Sequence, residues 1–456
     1  MSGQPGAPRR EAPDLISKID ANAYYNPAVA DPLDPVTFVN KINVPVFMAC
    51  QWEDEQTGGH CPELVQHFTG TSQKWFTFAN GSHVDSLDPD TFDRWYDFLE
   101  LFVAHKAPIE NAAVIHAAAP VIYQSALGTP ATDPITLPAD PIQLIPTYQA
   151  ALAAFGRLPE IQVLFDNGAG TSPTGASTPG DPYPGFEQDF STFPIPGTTA
   201  RAWYLGPDGT LSGQPPTTAI INSYTSNAGA LPLTDFGSNT ASGGLWGNSS
   251  QWQWNWEQYP SGSAVSYVST PLTTDTTVIG AGAVDLSVRS STPDVDLQAT
   301  ISEVRPDGNE TLVQNGWIRA SERTLSSGAD NMFDQPSTVL QPIPSFRAAD
   351  AEPMPTGSFT NVVIPLYYQG HVYRAGSRIR VTISAPNGTQ PVWSFGQTVP
   401  DGTATVSIAS SPSAPSSLVL PVVPGVSAPT PLPQCPSLRN EPCRQYEPMV
   451  SGMATQ

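Results

Sequence analysis

A chain of 456 residues exceeds what one hydrophobic core usually serves, so two or more domains are expected. Its 19 Lys and Arg stand against 41 Asp and Glu, and the formal charge of -22 repels phosphate backbones and anionic lipid surfaces, which excludes nucleic acid and membrane as partners. Only 13% of residues are charged while 39% are hydrophobic, and 50 Pro with 36 Gly follow no collagen-like period, a mixture suited to a turn-rich β protein.

No run of about 18 apolar residues occurs, and the segment beginning at Met1 lacks the apolar core of a signal peptide. Residues 1–40 are polar and read as an approach segment. Val44-Pro-Val-Phe-Met-Ala-Cys50 is a continuous apolar run of strand length, the pattern of a strand buried on both faces of a parallel sheet. A helix is expected over Cys61–Phe68, opened by Pro62. Lys74-Trp-Phe-Thr-Phe-Ala79 is a second buried strand, running into the loop Asn80-Gly-Ser-His-Val-Asp85. Asp88 then caps a helix in which Phe92, Trp95, Tyr96, Leu99, Phe102 and Val103 repeat at helical spacing.

This alternation gives about two strand-helix units where an α/β sheet usually has four to six strands, so the sheet is expected to be incomplete. Ala-rich stretches at Asn111–Val121 and Leu144–Phe155 read as helices of a cap or of an excursion packed beside the sheet. Gly168 to Pro184 is rich in Gly, Pro, Ser and Thr and marks a boundary. Beyond it the period changes to two. Ala200–Leu205 and Val295–Val304 each run into a Pro-Asp-Gly turn, and Val362–Tyr367 and Arg378–Ile383 add further strands. The region 185–425 is therefore expected to be a β-sandwich of jelly-roll type, with residues 412–456 mostly a Pro/Ser-rich tail. Cys435 and Cys443 in that tail are expected to be bridged. For Cys50 and Cys61, which flank one short loop, a disulfide and a buried thiol both fit.

Asp54 follows the first buried strand and His83 the second, so both fall on loops at strand ends, where open α/β sheets bind ligands. An acid that fixes the tautomer of a histidine, which in turn deprotonates a serine, is the logic of a triad, and the order acid then histidine is that of α/β-hydrolases. Against this, Asp54 between Glu53 and Glu55 also fits a solvated acidic cluster, and His83 a histidine bonded to its own loop. His60 and His67 lie seven apart with no third ligand, a surface pair rather than a metal site. No cofactor and no metal are expected. Trp252, Trp254 and Trp256 share one face if extended, which fits stacking on a sugar ring or, more simply, a packed face of the sandwich.

The stretch Val44 to Gly58, with its Trp-x-Asp at Trp52 to Asp54, resembles the acid strand and loop of the X-Pro dipeptidyl-peptidase and cocaine-esterase (CocE/NonD) family of serine hydrolases. Asn80-Gly-Ser-His83 is similar to the family's histidine loop, and Ala202–Leu211, Val295–Gly308 and His371–Arg380 resemble segments of its C-terminal jelly roll. The resemblance covers most of residues 36–425. It implies an α/β-hydrolase part with cap helices over 1–167, a galactose-binding-like jelly roll over 181–425 and a tail over 426–456, with Asp54 and His83 as triad acid and base. It also implies a small ester, amide or peptide substrate, a secreted or extracytoplasmic location and self-association. The family's nucleophile sits in Gly-x-Ser-x-Gly ahead of the acid, and no such motif occurs in the 456 residues. The serine is accordingly expected on a missing N-terminal segment or a partner chain. The alternative is a non-catalytic binding module that keeps a hydrolase remnant.

Overall fold

A computed structural model of the chain describes residues 15–127, 129–176, 178–234, 256–390, 393 and 395–449. Two short helices, α1 (Leu15–Asp20) and α2 (Pro27–Ala30), lead into a sheet of four strands. These are β1 (Val46–Gln51), β2 (Lys74–Ala79), β3 (Ile161–Phe165) and β4 (Phe186–Phe190), hydrogen-bonded in that order. The first three run parallel and β4 adds antiparallel to β3. The outer edge of β1 has no partner strand among the described residues.

The apolar run of β2 is explained by its two neighbours. Trp75 points into helices α3 (Pro89–Leu99) and α5 (Tyr148–Phe155), with ring centroids 6.3 Å from Phe98 and 4.8 Å from Phe155. Phe76 and Phe78 point the other way, into a core shared with Ile279, Tyr368 and Val372. Each such side chain withdrawn from water contributes about 1.5 to 3 kcal/mol. Helix α3 starts as its sequence dictates, with the Thr91 amide donating to Asp88 Oδ1 at 2.7 Å and Pro89 in the first turn. Helix α4 (Ala112–Ile122) and α5 occupy the two Ala-rich stretches.

The helix expected over Cys61–Phe68 is instead a tight 3₁₀ segment, Cys61–His67. A disulfide from Cys61 to Cys50 at the end of β1 fixes its start, and seven residues are too few to repay α-helix nucleation. Two further expectations are corrected. Residues 161–165 form the fully buried strand β3, and 186–190 pair with it, so the α/β sheet crosses the boundary placed at 168–184. The segment 426–449, expected as a tail, is packed into the molecule: Leu438, Arg439, Asn440 and Glu441 are all buried, and the predicted Cys435–Cys443 disulfide is present.

The remaining strands are β5 (Thr199–Leu205), β6 (Thr210–Ser212), β7 (Ile220–Thr225), β8 (Ala264–Ser269), β9 (Thr276–Gly280), β10 (Ala283–Ser290), β11 (Asp296–Val304), β12 (Asn309–Arg319), β13 (Thr360–Pro365), β14 (Gln369–Tyr373), β15 (Arg378–Ser384), β16 (Thr405–Ser410), β17 (Ser417–Val423) and β18 (Cys443–Gln445). They form one hydrogen-bonded network that folds over a core of Val, Leu and Ile from β10, β11, β13, β15, β16 and β17. That is a β-sandwich, and strands β9 and β14 carry the side chains that meet β2. Trp252 and Trp254 lie outside the described residues. Trp256 is buried beneath the Arg444 guanidinium, 3.8 Å from its ring centroid, and so is not an exposed sugar platform.

The sheet and the sandwich meet without slack at Gly370 in β14, where any Cβ would fall inside the indole of Trp52. Gly370→Ala should therefore overpack the junction and lower stability by about 1 to 3 kcal/mol. Urea unfolding of the variant beside the wild type measures this.

Candidate functional site

Parallel pairing aligns Gln51 with Ala79, so the chain leaves β1 and β2 at the same end of the sheet. Asp54 lies three residues beyond one strand and His83 four beyond the other, both at the carboxyl ends where α/β sheets carry their ligands. The structure brings the two together. His83 Nδ1 lies 2.8 Å from Asp54 Oδ2, so Nδ1 carries the proton and donates it to the carboxylate. Asp54 Oδ1 is held by the amides of Gln56 at 2.7 Å and Thr57 at 2.9 Å, which aims the second oxygen at the ring. The Asp54 side chain is 8% exposed and that of His83 46%. Buried acid, hydrogen-bonded Nδ1 and solvent-facing ring leave Nε2 as the imidazole's working nitrogen, since it makes no hydrogen bond among the described residues.

The flanking acids are not a solvated cluster. Glu53 and Glu55 are buried, and their carboxylates accept the amides of Gly81 at 3.1 Å and His83 at 2.8 Å. Burial pushes both carboxyls above the ordinary range, Glu53 the further because the charge of Glu441 faces it. The two acids thus tie the acid loop to the histidine loop. Asp85 shapes the turn at His83 by accepting the Ser82 amide at 2.7 Å, and Arg439 is its ion-pair partner.

Sequence reasoning missed the groups beneath this pair. Asn80 and Asn167 bond reciprocally, joining the loops after β2 and β3. Arg439, Asn440 and Glu441 approach from more than 350 positions away in sequence, and no local pattern announces them. His371 lies buried between Glu303, 3.0 Å from Nε2, and Glu441, 3.4 Å from Nδ1. Burial alone would lower its pKa, but the two carboxylates override this and raise it to about 10. His60 stacks edge-on against Tyr367 with ring centroids 4.0 Å apart, while His67 faces Phe333. The two histidines do not converge.

The acid loop is docked on the sandwich by Gln314 Nε2 donating to Trp52 O at 2.9 Å and by Trp393 Nε1 donating to Glu55 O at 2.7 Å. Beside it opens a cavity of about 730 Å³ lined by Thr57, His60, Leu64, Phe333, Ile343 and Tyr367 among others, most of its wall apolar.

Residues 154–417 match the family described as the X-Pro dipeptidyl-peptidase C-terminal non-catalytic domain. A protein named as a serine esterase in Mycobacterium bovis is 26% identical over 125 residues, which is 27% of this chain and 19% of that protein. Among solved structures, a CocE/NonD family hydrolase from Staphylococcus aureus superposes with a TM-score of 0.57 at 15% identity, over 90% of this chain and 59% of that one. An α-amino acid ester hydrolase gives 0.52 at 15% identity, over 90% and 61%. The chain thus spans about three fifths of the solved hydrolases and a fifth of the esterase.

The buried histidine predicts a pH dependence. Its folded pKa of about 10 lies above the unfolded 6.5, so its contribution is fully present below pH 6.5 and is lost as pH rises through 10. His371→Gln should leave Glu303 and Glu441 uncompensated, cost about 3 to 5 kcal/mol at neutral pH and flatten the decline in stability above it. Urea unfolding midpoints across that range, wild type against variant, give the answer.

Proposed function

The chain belongs to the family described as the X-Pro dipeptidyl-peptidase C-terminal non-catalytic domain, and we propose that it shares the chemistry of the CocE/NonD hydrolases whose fold it resembles, with Asp54 and His83 as the acid and general base of a Ser-His-Asp triad for hydrolysis of ester or amide bonds. The observation that carries this reading is the 2.8 Å bond from His83 Nδ1 to Asp54, with Nε2 left facing outward. In such a triad Nε2 takes the proton of the serine hydroxyl as it attacks the carbonyl carbon, and returns it to the leaving alcohol or amine. Asp54 keeps the ring in the tautomer that can do so and stabilises the imidazolium. No metal or cofactor is needed for these proton transfers.

The serine is assigned to polypeptide outside the 456 residues, because the chain holds no Gly-x-Ser-x-Gly. The outer edge of β1, which has no partner strand among the described residues, is where further parallel strands would add, which supports the same assignment. The apolar cavity beside the acid loop fits the hydrocarbon part of an uncharged ester or amide, and its Glu63 and Asp34 favour an amine over an acid as any charged substituent. We take the sandwich to be a jelly roll and the two disulfides to reflect an oxidising, extracytoplasmic location.

The chain alone should neither hydrolyse a chromogenic acyl ester nor react with a fluorophosphonate. Co-expressed with a segment that supplies the serine elbow, it should do both, and His83→Gln should then lower kcat about 10⁴-fold or more, as loss of a triad member does. A labelled serine in the isolated chain, or an unaffected His83→Gln, would overturn the assignment.

A further inference from the structure

We propose that the loop closed by the Cys435–Cys443 disulfide is a clasp that sets the geometry of the Asp54–His83 pair, with Arg439 and Asn440 as its positioning residues. The loop lies beyond residue 417, where the family match ends.

Successive residues of the loop grip the two site loops separately. Arg439 Nε is the ion-pair partner of Asp85 Oδ1, and the other Asp85 oxygen accepts the Ser82 amide and hydroxyl at 2.7 and 3.1 Å, which shapes the turn that presents His83. The Arg439 carbonyl accepts Asn80 Nδ2 at 3.0 Å at the start of that same turn. Asn440 Nδ2 donates to the carbonyl of Glu53 at 2.6 Å, one residue before Asp54. The Arg439 amide donates to Asn167 O at 2.8 Å, and its Nη1 to Gly180 O at 2.8 Å, so the loop is anchored at its own back as well.

Between the ends of β1 and β2 and the Asp54–His83 bond, the acid and histidine loops are otherwise tied through the carboxylates of Glu53 and Glu55, both of which burial disfavours as anions. Arg439 is 1% exposed and Asn440 1%, so these polar groups have given up water entirely to make their contacts. Without Asp85 that guanidinium would be left buried and lacking its ion-pair partner, which holds the two together. The disulfide shortens the free loop to an eight-residue separation and removes much of the entropy it would otherwise lose on docking. An error of 1 Å in a triad is enough to cost about two orders of magnitude in rate, which is the scale on which such a clasp acts.

The inference rests on the reading of Asp54 and His83 as acid and base for its consequence, but its geometry is tested without substrate or serine. In histidine-labelled protein the His83 Nδ1–H resonance is assigned by its loss in His83→Gln, and its solvent exchange is followed beside that of backbone amides in β11 as an internal control. Arg439→Gln, and separately the double variant Cys435→Ser with Cys443→Ser, should speed exchange of that proton by about tenfold or more while the β11 amides stay protected, and Arg439→Lys should recover part of the protection. Unchanged exchange of the His83 proton in either folded variant overturns the clasp. Should Arg439→Gln not fold, Asn440→Ala and the double serine variant carry the same two outcomes. A protected His83 proton in a reconstituted protein that fails to turn over would refute the hydrolase reading and leave the clasp standing.

Discussion

Where the four-stranded sheet meets the sandwich, Glu53, Asp54, Glu55, Asp85, Asp166, Glu303 and Glu441 are all buried, and the architecture of the junction follows from the need to answer them. Some are met by backbone amides, as Asp54, Glu53 and Glu55 are. Others are met by cations brought from far along the chain: Arg439 for Asp85, Arg374 for Asp166, and His371 for Glu303. Because the cations, and the amides that meet Glu53 and Glu55, lie on elements other than their acceptors, satisfying these acids fixes how the elements sit. The buried ion pairs need not add net stability to do this, since desolvation offsets most of their attraction, but breaking one leaves a charge stranded.

The hydrophobic packing and the polar network divide the labour. Phe76, Phe78, Phe165, Ile279 and Val372 hold the sheet against the sandwich without preference for a particular offset of a few tenths of an ångström. The hydrogen bonds of Gln314, Trp393 and Asn440 to the backbone of the acid loop supply that preference, because a carbonyl accepts only from a donor in the right place.

What could be read from the sequence tracks how local its cause is. β1, β2 and α3 were legible because a run of apolar residues, or their recurrence every three to four positions, already states which faces are buried. Asp54 and His83 were legible because each follows such a strand by a few residues. Ile161–Phe165 was equally apolar but sits behind Ala-rich helices and before a Gly/Pro-rich stretch, and it was not read as a strand. β4, Phe-Glu-Gln-Asp-Phe, has a polar side half exposed at the sheet's edge and only its pairing with β3 makes it a strand. The clasp was illegible for a different reason. Pro, Ser and Cys near a terminus look like tail composition, and the value of Arg439, Asn440 and Glu441 appears only when partners hundreds of residues away are placed beside them.

The close approach at Gly370 also bears on how the sheet and the sandwich can move against each other. With the Trp52 indole seated directly on its backbone, β14 and the acid loop interlock like a ball in a socket cut to size, and neither can slide or hinge past the other without the indole first being withdrawn. Any relative motion of sheet and sandwich at this seam therefore carries the cost of unseating that ring.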